Sequence, residues 1–535
     1  MADSSFAVAA GHPLAAEEAH RILAAGGSAA DAAIGVAFVQ GVVDPAKCGL
    51  GGWGVATLFD ARAGTLTAID FPGRAGSRAR PDMWASALIE PAYHGYLPHL
   101  RGAANDVGYR AIAIPAAVPG LGELFRLGGS GRFAWAELLE TAIRYARDGV
   151  LVSSGVLGAG EPEWDWPGAV PFHDRLAASP AAREAYLPGG RFFEIGEVLR
   201  QPVLAATLET LAAEGPAAFT TGSIAARMAA DFARNGADIT ADDLASARPS
   251  VGAALQVTRR GQRIGGPWPP ESGVSLLGLL ARLDGRIDPS SDLLEPPNLE
   301  ELVEALEFVA AQRGELLADP GFVDVPVAAM LEAARTHAPA VPVQTPPAAG
   351  GHTTSVVTID SDGNAVAMNH SLASHGGSGV MTEGLGFLYN NCMAGFDVQP
   401  GRPNSIAPGK ARWSAACPAV VVGPDGRATL AITGPGATRA IAAVGQGALR
   451  SLDLDEDAAT IARATRIDAH DGVVDLEVDA PAGLAAAVGR LGRTGARIEP
   501  SVAAALYLIR RGAEGRLDAA ADPRRPGGAF VGPEG

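Results

Sequence analysis

The sequence predicts an α+β protein, and three observations carry that expectation. From about residue 80 to 340, apolar residues recur at i, i+3, i+4 and i+7, the spacing of amphipathic helices. From 353 to 440, short β-branched runs alternate with Gly and Pro, the pattern of strands and turns. The chain has 535 residues, 47% hydrophobic and 19% charged, enough to bury the sizeable core of one large domain or two intimately packed ones.

Taken in order, Pro13 to Gly26 and Ala29 to Val42 read as helices rich in small residues, followed by strands at Gly54–Phe59 and Leu66–Phe71. Helices are expected at Trp135–Tyr145, Pro202–Ala213, Ser223–Arg234 and Leu299–Leu316, with Asp242 and Asn298 where N-caps belong. Strands are expected at Ser355–Ile359, Ala365–Asn369, Phe387–Asn390, Ala419–Val422 and Ala428–Ile432. Residues 440 to 512 return to helix and short strands, and the Pro/Gly-rich tail, 522–535, is expected to be disordered.

Composition and motifs exclude several function classes. The formal net charge of −17, with no basic stripe, argues against nucleic-acid binding. No apolar run reaches the length needed to span a bilayer. Met1-Ala2-Asp3-Ser4-Ser5 lacks the basic and apolar regions of a signal peptide, so a cytoplasmic location is expected. Cys48, Cys392 and Cys417 are too few for a disulfide framework and read as buried thiols. No His/Cys/Asp cluster has metal-ligand spacing, and no metal or cofactor is expected. Gly49-Leu50-Gly51-Gly52 is followed by strand rather than helix and fails the dinucleotide fingerprint.

The most informative stretch begins at Thr353. A Pro-rich approach, Ala338 to His352, ends in Gly350-Gly351-His352 and runs into Thr353-Thr354-Ser355-Val356-Val357-Thr358-Ile359. One reading is a linker before an ordinary strand. The other is a self-cleaving junction at His352-Thr353, because a freed N-terminal threonine carries a nucleophilic hydroxyl and a basic α-amine on one residue.

Several segments, in order, resemble those of the γ-glutamyltranspeptidase family, a group of N-terminal-nucleophile hydrolases. Ala24 to Ala33 resembles the family's "EGGNAVDAA", Gly49 to Gly54 its "GxGGGGF", and Ile69-Asp70-Phe71 its "DFRE". Asn235 to Leu244 resembles "NGG.IT..DL", Pro267 to Gly273 "PPPSSGG", and Thr353 onward "TTHxSVVDxDGNAV". Gly384 to Asn391 resembles "GILLNN" and Thr433 to Arg439 "TGSPGGSR". The resemblance covers about residues 5 to 520. It implies a four-layer αββα sandwich of two stacked antiparallel sheets flanked by helices. It also implies autocleavage into a large segment, 1–352, and a small one, 353–535, that stay associated as one intertwined unit.

The same resemblance assigns the chemistry. Thr353 is the expected nucleophile, with its freed α-amine as base, since an α-amine has a pKa of about 8. Ser371 stands where the family has a threonine bonded to the nucleophile's hydroxyl. The backbone amides of Gly436 and Ala437 are the expected oxyanion hole. The family usually has two glycines there, so Ala437 fits only with a negative φ or with its Cβ turned away from the substrate.

The substrate positions depart from the family. The arginine after the "DF" pair is Pro72, with Arg74 the nearest substitute; a carboxylate-binding asparagine is Ala373. The amine-binding pair after "NN" is Cys392 and Gly395, and two adjacent serines are Ser414 and Ala415. Arg74, Arg78 and Arg80 either receive a substrate carboxylate or form a solvated basic loop. Trp53 and Trp413 line the acyl pocket or sit in the core, and His370 or His375 either faces the site or does not. Three functions remain open on the sequence: a self-processing threonine amidohydrolase for a small amide that is not γ-glutamyl, a γ-glutamyltransferase or glutathione hydrolase, and a non-catalytic binding protein. The expected partners are a small amide and the chain's own two segments, with homo-oligomerisation left open.

Overall fold

A computed structural model describes residues 5–93, 97–154, 156–158, 170–339, 353–498 and 504–532. The chain opens with strand β1 (Ala7–Ala10) and helix α1 (Pro13–Ala24), whose cap His12 accepts from the Leu14 amide and whose first residue is a proline. Helix α2 (Ala29–Val43) starts in a capping box between Ser28 and Asp31 and is buried almost all round. Strands β2 (Trp53–Asp60) and β3 (Thr65–Phe71) follow, then helix α3 (Ala117–Gly128). After a mostly helical stretch, which includes helices Pro202–Glu214 and Ser223–Asn235, come β4 (Ser250–Ala253), β5 (Leu255–Arg259) and β6 (Gln262–Gly266), then α4 (Gly273–Arg282) and α5 (Asn298–Leu316). The last third supplies β7 (Thr354–Ile359), β8 (Ala365–Ser371), β9 (Ala419–Val422), β10 (Ala428–Thr433) and α6 (Arg439–Leu452). It ends with β11 (Tyr507–Arg511), β12 (Leu517–Ala521) and β13 (Gly528–Val531).

Two sheets result, each antiparallel throughout. The first has the order β13-β1-β7-β8-β2-β3-β4, the second β12-β11-β10-β9-β6-β5. Each sheet takes strands from both sides of position 353. Successive residues on a strand face opposite ways, and this sorts the core. Phe59, Val357 and Ala367 of the first sheet meet Val420, Ala431, Tyr507 and Ile509 of the second in a cluster between the sheets. On the first sheet's other side, Val356, Val366 and Met368 pack with Ile34, Phe38 and Leu121 from α2 and α3. On the second sheet's other side, Val421, Leu430 and Ile432 pack with Leu276, Leu306 and Val444 from α4, α5 and α6. A small third sheet joins Ile467–His470, Val473–Glu477 and Thr494–Ile498. No helix among the described residues is long and apolar enough to cross a membrane.

Five expectations are corrected. The tail is not disordered as far as it is described: β13 pairs along β1, and the Phe530 ring stands 5.4 Å from that of His20. Edge pairing and packing outweigh its Pro/Gly content. The Trp135–Tyr145 helix is broken into a 3₁₀ turn, Trp135–Leu138, and a helix, Glu140–Asp148, because the Trp135 ring is pinned edge-on to Phe38 and its indole N–H to the Leu211 carbonyl. Phe387–Asn390 makes only isolated bridges, Met381 to Leu388 and Gly51 to Tyr389, since Gly384 and Gly386 turn the chain at positive φ. The N-cap near Asp242 is Thr240, boxed with Asp243. Asn298 is the first residue of α5, and its side chain ties the preceding loop at Asp288, Ser291 and Asp292. The β5–β6 hairpin is an addition: Arg260 and Gly261, both at positive φ, make its two-residue turn.

Candidate active site

Thr353 sits half-buried at the head of β7, immediately before the ladder begins with Thr354 opposite His370. Strand β8 ends at Ser371, whose Oγ lies 3.1 Å from the Thr353 hydroxyl. The Ala373 amide donates to the same Ser371 oxygen at 2.9 Å, which fixes the serine rotamer. The loop beyond is anchored to α2's exit and to the Asn391 turn: the Leu372 amide donates to the Lys47 carbonyl, and Asn391 exchanges bonds with Leu372 and Ser374. The hydroxyl pair therefore rests on two strands in the middle of a sheet, a rigid mounting for a nucleophile.

The turn after β10 reaches this strand end from the other sheet. Asn369 is the clasp: its amide donates to the Ser355 hydroxyl at 2.8 Å and the Gly434 carbonyl at 3.4 Å, and it accepts from the Thr433 hydroxyl at 2.7 Å. The carbonyls of Gly436 and Ala437 accept the amides that start α6. Among the described residues, the Gly436 and Ala437 amides donate to nothing, as an oxyanion hole requires. A Cβ on Gly436 would stand 2.4 Å from that of Ala504, so glycine is obligatory there. Ala437 has φ +48°, so the negative-φ condition fails and this residue carries left-handed strain.

Of the expected substrate positions, the structure gathers Ala373, Cys392, Gly395 and Ser414 on one wall. Trp53 stands opposite Ser371 across β2 and β8, on the same face of the sheet, and its ring belongs to an apolar cluster with Cys392, Met393 and Ala416 against which Ala373 packs. Burial pushes the Cys392 thiol up to about 11, against the opposing charge of Arg412. Ser414 and Ala416 face this wall on an extended segment, with the Ala416 amide bonded to the Ser414 hydroxyl at 3.0 Å. Ala415, between them, points away into the α4–α6 core.

Other expectations fare differently. Arg74 is engaged by Asp319 at 2.8 Å and the Gly409 carbonyl at 3.2 Å, while Arg78 and Arg80 are exposed, the latter beside Asp82. These three read as a tethered arginine and a solvated loop. Trp413 packs outside the wall, with Arg313 5.8 Å from its ring. His370 is buried on Gln40 at 2.6 Å, and burial lowers it to about 3, which favours its neutral form. His375 stacks on Phe172 at 4.1 Å. His352 and the His352-Thr353 bond lie outside the described residues.

Three charged groups escaped the sequence reading. Glu271 is fully buried, with neither oxygen in a geometric hydrogen bond. Burial pushes it up to about 7, opposed by the Ser414 hydroxyl and by Arg412. Asp70 at the end of β3 is also pushed up, first by burial and then by the Glu271 charge, with Arg74 opposing. Arg412 lies 4.6 Å above the Trp53 ring and donates to the Trp413 carbonyl at 2.7 Å. The available signal was a lone charge inside each of two apolar, Pro/Trp-bearing segments, Pro267–Gly273 and Ala411–Pro418. Among the described residues, no group of three or more His, Cys, Asp or Glu could hold a metal ion.

Comparison with known proteins bears on the family and the fold. A family model described as gamma-glutamyltranspeptidase matches residues 15–532. The acylase ACY 1 proenzyme of Pseudomonas sp. (strain V22) is 32% identical over 534 residues, covering 97% of this chain and 92% of the relative. The glutathione hydrolase proenzyme of Escherichia coli (strain K12) is 28% identical over 437 residues, covering 76% of this chain and 71% of the relative. In fold, the chain is similar to the crystal structure of cephalosporin acylase from Bacillus halodurans, with a TM-score of 0.85 at 24% identity, covering 99% of this chain and 96% of that one.

Proposed function

This chain belongs to the gamma-glutamyltranspeptidase family, and from that premise we propose that it is a self-processing threonine amidohydrolase acting on a small amide other than a γ-glutamyl one. The observation that carries the proposal is the Thr353 hydroxyl, 3.1 Å from Ser371 at the head of a central strand. The facing sheets, each backed by helices, support the four-layer αββα reading of the fold. The division into segments 1–352 and 353–535 goes with it.

In maturation, Thr353 Oγ adds to the His352 carbonyl carbon, the C–N bond breaks, and an ester forms. Water then cleaves the ester, giving a carboxylate on residue 352 and a free Thr353 α-amine. In turnover, that amine takes the hydroxyl proton as Oγ adds to the substrate carbonyl. Ser371 holds the hydroxyl, and the amides of Gly436 and Ala437 receive the oxyanion. The proton passes to the departing amine, and water attacks the acyl ester to release the acid.

The substrate reading follows from what the wall lacks. With Pro72, Ala373, Cys392 and Gly395 at four recognition positions, the charged and polar partners of a γ-glutamyl group are missing. Each loss costs about 2–5 kcal/mol of binding. Intact mass under denaturing conditions tests the first step: two polypeptides, the smaller beginning at Thr353, with Thr353→Ala left whole. An uncut wild-type chain would shift the reading to a binding protein. Steady hydrolysis of glutathione by the cleaved protein, abolished by Thr353→Ala, would refute the substrate reading.

A further inference from the structure

We infer that Arg412 is a specificity-determining residue: its guanidinium fills the part of the acyl pocket where a γ-glutamyl enzyme seats the substrate's α-ammonium, and it bars that group. The inference rests on the reading of Thr353 as nucleophile given above. It starts from Gly395, which stands at one of the two amine-binding positions. A Cβ on Gly395 would lie 2.2 Å from Arg412 Cδ and 2.9 Å from Nε. No other residue type fits at 395 while Arg412 keeps its place, so the missing side chain and the inserted arginine are two halves of one change. Cys392, at the other amine-binding position, lies 3.9 Å from Arg412 Nη2. A guanidinium thus meets both positions that would hold an ammonium.

The arginine is built in rather than draped over the surface. It is 4% exposed, lies over the Trp53 ring, and donates to the Trp413 carbonyl. Its charge opposes the rise that burial imposes on the nearby Glu271 carboxyl. Trp53 is the cross-strand neighbour of Ser371, which touches the Thr353 hydroxyl. The path from Arg412 to the nucleophile therefore runs through two residues, Trp53 and Ser371. A second cation entering beside a desolvated guanidinium meets like-charge repulsion that bulk water does not screen. An acyl group of the same length without the amine meets none.

Two chromogenic anilides that differ by that one ammonium test the inference: γ-L-glutamyl-p-nitroanilide and glutaryl-p-nitroanilide. The self-cleaved wild-type protein should favour the glutaryl compound in kcat/KM by about a hundredfold. Arg412→Gln should shrink that ratio about tenfold or more, and adding Gly395→Asp should shrink it again. A merely structural role would lower both rates together and leave the ratio unmoved. Cleavage at Thr353, read by mass, reports that each variant folds. An unchanged ratio in the variants, or a wild-type preference for the γ-glutamyl compound, overturns the inference and leaves the amidohydrolase reading standing. If cleaved protein turns over neither anilide, calorimetry with glutarate and L-glutamate gives the same comparison, and equal affinities or no binding overturn it. An uncut wild-type chain overturns the amidohydrolase reading, and the inference falls with it.

Discussion

Ala437 is held at φ +48° in the turn that carries the proposed oxyanion-hole amides, a conformation that costs an L-residue about 1–2 kcal/mol. Ala437→Gly removes that strain but loosens the unfolded chain by roughly 0.4–1 kcal/mol. The variant should therefore melt at the same temperature or slightly higher, where an alanine-to-glycine change in relaxed backbone lowers it. Gly436→Ala should do the opposite, because its Cβ has nowhere to go beside Ala504. Glu271 offers a pH-dependent case. Its ordinary value is 4.5, and burial raises it to about 7 in the folded protein. A raised carboxyl makes folding less favourable once it ionises. The cost is absent below about 4.5, grows as pH climbs to about 7, and is full above that, on the order of 2–3 kcal/mol. Glu271→Gln, permanently neutral, should thus gain melting temperature relative to wild type at pH 8 and show a smaller difference at pH 4.5. Equal differences at both values would mean that Glu271 is not titrating in place. Such residues mark the limit of what was legible. Thr353 and Ser371 could be read because motif and strand pattern put them at paired strand ends. Glu271 and Arg412 could not, because their meaning lies in burial and in contacts between segments about 140 residues apart in the chain.

At the scale of elements, the sequence revealed most where apolar runs are bounded by clear caps, glycines or prolines. Helices α1, α2 and α5 and strands β2, β3, β7 and β8 lie within a few residues of their expected places. It failed where a local signal was outvoted by a distant partner. The β5–β6 hairpin turns on Arg260-Gly261 rather than an Asn-Gly pair, so no turn signal flagged it. The C-terminal strand shows the same effect. Gly528–Val531 follows a Pro/Gly-rich run, yet it pairs antiparallel with Ala7–Ala10, and the Gly532 amide donates to the Phe6 carbonyl at 2.8 Å. Gly528 suits a crowded spot, since a Cβ there would approach Ala16 Cβ at 2.9 Å. Ending the chain at Arg525 should remove this ladder and the Phe530–His20 contact, lowering stability by about 1–3 kcal/mol as read by urea unfolding. A disordered tail would leave the midpoint unchanged.

At the scale of the whole molecule, the proposed maturation is coupled to folding. Strand β7, which begins one residue after the proposed scissile bond, pairs with β1 on one side and β8 on the other. One partner precedes position 353 by more than 300 residues, and the other follows it. The hydroxyl pair and the turn clasped by Asn369 come together only once both sheets have assembled. Cleavage should accordingly be a first-order event within one folded chain. Its half-time should not change over a hundredfold range of protein concentration, and Thr353→Ala should accumulate as a folded precursor. Among the described residues, the two proposed segments share both sheets, so the cleaved pieces should not part. The first sheet inserts β1 between β13 and β7 and joins β8 to β2, and the second joins β5 and β6 to four strands from beyond 353. Separating them would expose the cluster between the sheets and both outer clusters, the behaviour of an obligate interface. The two polypeptides should co-elute in size exclusion under native conditions and separate only in denaturant, through the transition that unfolds the whole. Two native peaks without denaturant would show that the sheets are not shared as described.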